Sequence, residues 1–322
     1  MFDVVALGEL LIDFTCLSVD EAGYPTLAAH PGGAPANFLA ALAQYGAKTA
    51  LIGKVGRDAF GAMLTRTLER AGIDVSGLRA AEDVFTTLAF VTLDGQGNRA
   101  FSFARKPGAD TCLSREEIDL SLLDAARVFH FGTLSLTDEP ARSATRAAVA
   151  YARERGALLT FDPNLRPPLW RNLEEAREQM LWGLGQADVV KISDEEVRFL
   201  FQCGPEAGAE RLHREMGVPL VFVTCGGEGC FFHSARAHGH EAGLSALQVV
   251  DTTGAGDIFG GSAVWKLLQT GKAPQDLSEA ELRGIVRFAC TAAGLSTTKQ
   301  GGLSSIPTLE QVQARLAEES RA

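Results

Sequence analysis

Short β-branched, apolar runs alternate along the chain with stretches whose apolar residues recur every three or four positions, the pattern of βα units that feed a largely parallel sheet. The runs that predict strands are Val4–Leu7, Thr49–Ile52, Val128–Phe131, Leu158–Phe161, Val189–Ile192, Val221–Thr224 and Leu247–Val250. The helices between them have recognisable ends. One opens at Asp58, sets Phe60, Leu64, Leu68 and Ala71 on one face and stops at Gly72, and another runs from about Pro140 to Gly156. After Val250 the pattern changes to helices around Ile258–Leu268, Glu279–Ser296 and Leu309–Glu318, with no internal repeat.

Two segments break the alternation. Leu10 to Pro31 is extended and turn-rich, while Thr86–Leu93 and Arg99–Phe103 flank Asp94-Gly95-Gln96-Gly97-Asn98 as a hairpin with a glycine-rich loop. Strands left out of a parallel sheet must pair elsewhere. They are expected to form a small antiparallel flap over the sheet end where open α/β folds bind ligands, with the glycine loop allowing it to close.

Composition narrows the partners. Thirty Lys and Arg against 40 Asp and Glu give a net charge of −10, which opposes a nucleic-acid or anionic-membrane partner and favours a small molecule. The stretch without charged residues between Glu21 and Lys48 is broken by Pro25, Pro31, Gly32, Gly33, Pro35 and Asn37, so no membrane span is expected. Asp3 and Glu9 stand where a signal peptide would carry basic residues, which makes the cytoplasm the expected compartment. The six cysteines form no C-x-x-C pair and the six histidines no H-E-x-x-H; His238-x-His240 fits an exposed hairpin.

The strongest chemical signal is Asp251-Thr252-Thr253-Gly254-Ala255-Gly256-Asp257, read as a turn between a strand and a helix. Amides of Ala255, Gly256 and Asp257 at the helix start can hold an anion such as a phosphoryl group. A carboxylate beside that anion makes sense as a proton acceptor, and otherwise the motif is a tight turn with an acidic first helical residue. No Walker loop is present at Gly53-Lys54-Val55 or Gly271-Lys272-Ala273, and Gly254-x-Gly256-x-x-x-Gly260 lacks the following βαβ unit of a dinucleotide site.

Other motifs also sit at predicted strand ends. Pro31-Gly32-Gly33-Ala34-Pro35-Ala36-Asn37 opens a helix, permits close backbone approach, and offers an amide suited to sugar hydroxyls. Asp13 is a lone carboxylate in the apolar stretch after the first strand. In Phe161-Asp162-Pro163-Asn164-Leu165-Arg166, Arg166 suits a phosphate or carboxylate. Lys191-Ile192-Ser193-Asp194-Glu195-Glu196 reads either as a Ser193/Glu196 capping box or as Glu196 anchoring waters of Mg²⁺. Thr224-Cys225-Gly226-Gly227-Glu228-Gly229 is either a nucleotide-receiving turn or a plain glycine hairpin.

Together these motifs resemble the ribokinase-like (phosphofructokinase B) family of sugar kinases, in register over nearly the whole chain. Gly32-Gly33-x-x-x-Asn37 with Gly46 and Gly56 is similar to the family's first signature, and Asp251-Thr252-x-Gly254-Ala255-Gly256-Asp257 to its second. The resemblance implies an α/β fold in three layers with a mostly parallel central sheet, one domain over 1–322, and a discontinuous β lid from about 10–31 and 84–108 that pairs subunits into homodimers. It implies Asp257 as catalytic base, Gly254, Ala255 and Gly256 as anion hole, and Asp13, Gly32, Gly33 and Asn37 as sugar ligands, joined by Arg105, Asp110 and Arg166. The nucleotide site would take Lys191, Ser193, Thr224, Gly226, Gly229 and Cys290 with Gly254 and Gly256. ATP and Mg²⁺ are the implied cofactors, with K⁺ a candidate third.

The fructokinase branch fits best, through Gly32–Asn37, Arg105-x-Pro107-Gly108-Ala109-Asp110, Phe161–Arg166 and Thr298-Lys299-Gln300-Gly301-Gly302. Ser193 stands where the family's N-x-x-E motif has Asn, as it does in many fructokinase-like members. A 2-keto-3-deoxygluconate kinase is the nearest rival and would use Arg105 or Arg166 for the substrate carboxylate, against which Asp110 argues by its charge. A catalytically silent sugar-binding protein on the same fold is the more distant one.

Overall fold

A computed structural model describes residues 1–93, 99–124 and 126–319. The chain opens with β1 (Phe2–Leu7), β2 (Leu11–Val19), β3 (Pro25–Gly32) and α1 (Ala34–Gln44), followed by β4 (Thr49–Gly56), α2 (Ala59–Arg70), β5 (Ile73–Asp74) and β6 (Leu78–Ala81). Then come β7 (Leu88–Leu93), β8 (Arg99–Ala104), α3 (Leu120–Asp124), β9 (Ala126–Gly132), α4 (Ala141–Glu154), β10 (Leu158–Asp162), α5 (Leu173–Leu184) and β11 (Val189–Ser193). The remainder is α6 (Asp194–Phe201), α7 (Pro205–Met216), β12 (Leu220–Thr224), β13 (Cys230–Ser234), β14 (His238–Glu241), α8 (Ala255–Thr270), α9 (Glu279–Ser296) and α10 (Leu309–Glu319).

The main sheet runs β14-β13-β12-β11-β10-β9-β1-β4-β5, with β6 also on β4. It is parallel from β12 through β4, and antiparallel only where β13 and β14 hang on as hairpins. Alternation along each strand feeds two apolar layers. Val5 and Leu7 join Phe129, Phe131 and Phe161 under α3 to α7, while Val4 and Ala6 pack on the opposite side against α1 and α2. Val189, Leu220 and Phe222 extend that second side beneath α8 and α9. This is the expected three-layer arrangement. The Asp58 carboxylate caps α2 by accepting from Phe60 N and Gly61 N at 2.9 and 2.8 Å, as the helix start required. Among the described residues no helix is long and apolar enough to cross a membrane.

Two expectations need correction. Leu247–Val250 is not a strand: Val250 N and Asp251 N donate to Thr297 O at the end of α9, so the segment has no sheet partner, and its valines are half exposed. The Asp251–Asp257 turn therefore follows irregular chain. The lid is a four-stranded sheet of order β3-β2-β7-β8, but β2 and β7 run parallel, so it is mixed and not antiparallel. Phe14 anchors it, stacked on Phe90 and edge-on to Phe60 of α2. The loop Asp94–Asn98, on which lid closure was expected to hinge, lies outside the described residues.

Candidate active site

The C-terminal ends of β1, β9, β10, β11 and β12 and the start of α8 converge on one edge of the main sheet, where the Asp251–Asp257 turn meets α1. Gly254 caps α8 with φ 77° and no side chain caps that end; of the three amides expected to hold an anion, Ala255 N turns back onto Thr252 O at 3.3 Å, which leaves the Gly256 and Asp257 amides as those a helix start offers. The turn is pinned from within. Asp251 Oδ1 accepts from Thr253 N and Oγ1 at 2.9 and 2.8 Å, and Oδ2 accepts from Gly301 N at 3.0 Å.

Asp257 is half-buried in the first turn of α8, and its Oδ2 accepts from Asn37 Nδ2 at 2.9 Å. Burial pushes its carboxyl up; Lys191, the Asn37 hydrogen bond and Arg166 pull it back, and Asp13 adds to the rise. A carboxylate made more basic than usual and placed at a helix N-terminus is equipped to take a proton. Asp13 is pushed up to about 6, by burial first and then by Asp251, with Arg166 opposing. The predicted group Asp13, Asn37, Arg166 and Asp257 is thus brought together. Gly33 has φ 121°, and a Cβ there would strike Glu9 O, so α1 can begin beside β1 only with glycine at this position.

Lys191 joins the two halves of the site. Its Nζ is 2.9 Å from Asp162 Oδ2, and a Cβ placed on Gly256 would come within 2.8 Å of that Nζ. Burial alone would lower its pKa, but Asp162, then Glu196 and Asp257, outweigh it and hold the ammonium charged. Beyond it opens a cavity of about 530 Å³ that takes in Lys191, Ser193, Thr224, Gly226, Gly229, Gly256 and Cys290, all the residues expected there except Gly254. Leu244, Leu247 and Val249 supply apolar wall that sequence reading missed. The size and the mix of apolar wall and glycine amides suit a nucleotide.

Three site expectations change in meaning. Arg105 and Asp110 are both buried and spend their charges on each other at 2.6 Å, with Thr87 on Asp110 and with Thr137 and Leu134 O on Arg105. Asp110 therefore presents no free charge against an anionic substrate, and that argument against the keto-acid falls. Glu196 accepts from Leu165 N at 2.6 Å and from Ser193 N at 2.9 Å, which realises the capping box and ties the β10 loop to α6. Its carboxylate keeps lone pairs for a water.

Glu9 was not singled out, because it stands among apolar residues like any strand-end acid. It is 3% exposed, accepts from Ala34 N at 2.9 Å, and burial raises its pKa from 4.5 to about 7. Its folded pKa lies above its unfolded one, so the folded state binds more protons between those values, and stability falls as pH rises through that window. Glu9→Gln keeps the acceptor for Ala34 N without the charge. It should leave stability unchanged below pH ~4.5 and raise it by about 3 kcal/mol at pH 8 in urea unfolding. Destabilisation at pH 8 would show that the Glu9 charge is held by a partner instead.

The model of the pfkB family carbohydrate kinases matches residues 1–309. Fructokinase-2 of Solanum lycopersicum is 40% identical over 317 residues, spanning 96% of this chain and 94% of that protein. Among solved structures, fructokinase with bound ATP from Xylella fastidiosa superposes with a TM-score of 0.91 at 30% identity, over 99% of this chain and 100% of that one. Fructokinase from Vibrio cholerae O395 with fructose, ADP and calcium ion gives 0.84 at 30% identity, over 98% and 99% of the two chains.

Proposed function

Since the chain belongs to the pfkB family of carbohydrate kinases, we propose that it is a fructokinase, moving the γ-phosphoryl group of ATP to the 6-hydroxyl of fructose. The observation that carries this reading is the half-buried Asp257 at the start of α8, where no side chain caps the helix, bonded to Asn37 on the sugar side and flanked by Lys191 on the nucleotide side. Asp257 takes the proton of the attacking hydroxyl. The amides at the helix start and the Lys191 ammonium receive the negative charge of the moving phosphoryl group. Asn37 orients the Asp257 carboxylate, and Asp13 with the Gly32–Gly33 backbone holds the sugar's other hydroxyls.

Mg²⁺ accompanies ATP in this reading, with Glu196 placed to anchor one of its waters, and when bound it supplies charge neutralisation on the phosphates. K⁺ is the further cation to vary in assays. A neutral ketose is favoured over 2-keto-3-deoxygluconate by Asn37 and the glycine amides, which serve hydroxyls, and not by Asp110. A coupled ADP assay across fructose, ribose, 2-keto-3-deoxygluconate and adenosine should give the highest kcat/KM for fructose; a higher value for the keto-acid would reassign the substrate. The enzyme would act in the cytoplasm.

The reading includes a homodimer through the lid. Leu17, Val19 and Tyr24 at the outer ends of β2 and β3 are 59, 60 and 72% exposed, an apolar patch that a second copy of the same lid would cover. Leu17→Asp should convert the dimer to a monomer in sedimentation velocity. A wild-type monomer, or a dimer untouched by the substitution, would contradict this.

A further inference from the structure

The lid strand β3 carries a polar group that the catalytic arrangement does not use. Antiparallel pairing sets His30 directly opposite Asp13, and Ala28 opposite Thr15. Directly opposed residues project on the same side of a sheet, and alternation brings residues two apart back to it. Asp13, Thr15, His30 and Gly32 thus share one face, and a Cβ on Gly32 would strike the Asp13 carboxylate, which confirms how closely they converge. That face holds two buried polar atoms without a hydrogen-bond partner, His30 Nε2 and Thr15 Oγ1. A third, Asn37 Oδ1, lies in the sugar site itself.

Buried polar atoms left unpaired are costly and uncommon in native structures, and two on the face of the lid that carries Asp13, with a third in the sugar site, call for a shared partner. We propose that His30 is a specificity-determining residue that contacts the sugar, its Nε2 bonding a hydroxyl at the end of the sugar remote from the one phosphorylated, with Thr15 beside it. The inference rests on the sugar-kinase reading above. An imidazole nitrogen and a threonine hydroxyl both match a sugar hydroxyl, which donates and accepts.

Position along the strand supplies the direction. Gly32 adjoins Gly33 at the start of α1, which carries Asn37 and hence the Asp257 end of the sugar. His30 is two residues further out on β3, about 7 Å by strand rise, roughly the length of a hexose. Asp13, paired opposite His30, reaches toward Gly32 and is close enough to Arg166, Asp251 and Asp257 for mutual electrostatic influence.

The test compares fructose and ATP kinetics of wild type, His30→Phe and His30→Gln. His30→Phe keeps an aromatic ring without the nitrogen and should raise the fructose KM by about tenfold, with kcat and the ATP KM within about twofold, because only binding at the remote end is lost. His30→Gln, whose amide can still bond a hydroxyl, should bring the fructose KM back to within about threefold of wild type. Thr15→Val should shift the fructose KM in the same direction. An unchanged fructose KM in His30→Phe, a fall in kcat alone, or failure of His30→Gln to restore the KM would overturn the assignment. If His30→Phe does not fold, His30→Leu takes its place. A wild-type protein with no sugar-dependent turnover would sink the kinase reading instead, and calorimetric fructose affinities of the same variants would still decide the role of His30.

Discussion

Asp257→Asn should lower kcat by about 10²–10⁴-fold, the usual contribution of a positioned general base, while the fructose Kd measured by calorimetry without ATP changes only a few-fold. Asn is nearly isosteric and its carbonyl oxygen can still accept from Asn37 Nδ2, so the contact at 2.9 Å and the start of α8 are retained. Only the proton acceptor is removed. The pH dependence follows from the same geometry. Burial raises the Asp257 carboxyl and the reaction needs it ionised, so kcat/KM should fall on the acid side, and that limb should vanish from the residual activity of the variant. More than about a tenth of wild-type kcat remaining when chemistry is rate-limiting would move the base to another carboxylate, with Asp13 next.

Gly256→Val should cut ATP-dependent turnover by at least about a hundredfold, the scale seen when one donor to a developing anion is lost, and should spare fructose binding. In the proposed mechanism phosphoryl oxygens approach the helix amides at this glycine, and a Cβ there comes within 2.8 Å of Lys191 Nζ. That ammonium cannot simply swing away, because Asp162 holds it at 2.9 Å. A branched side chain therefore blocks the anion position and displaces the cation beside it. A folded Gly256→Val protein with wild-type kcat would show that the α8 start does not hold the transferred group.

The alternation of strands and helices was legible because both periods survive in the sequence: Val4 and Ala6 face one layer, Val5 and Leu7 the other. Helix starts were legible where capping chemistry is local, as at Asp58 and Ser193. Leu247–Val250 misled for a physical reason. A run of Leu and Val reads as a strand, yet its amides find Thr297 O while Leu247 and Val249 become cavity wall. The parallel pairing of β2 with β7 joins segments some 75 positions apart and leaves no local mark. The site was legible as a set of residue types but not as a set of pairs. Arg105 and Asp110 looked like two ligands and are one buried ion pair; Asp162 and Lys191 belong to different strand ends that only the sheet makes neighbours. Glu9 and His30 were passed over, since nothing local distinguishes a polar residue turned into the protein from an exposed one.

The central claim is that Asp257 directs one sugar hydroxyl at the phosphoryl group of ATP. It is tested most directly by incubating wild type and Asp257→Asn with fructose, ATP and Mg²⁺ and identifying the phosphorylated product by ³¹P and ¹³C NMR. The account predicts fructose 6-phosphate as the sole phosphosugar from the wild type, formed in step with ADP, and almost none from Asp257→Asn in the same time. Phosphate on another hydroxyl, release of inorganic phosphate in place of a phosphosugar, or equal product from the two proteins would contradict it.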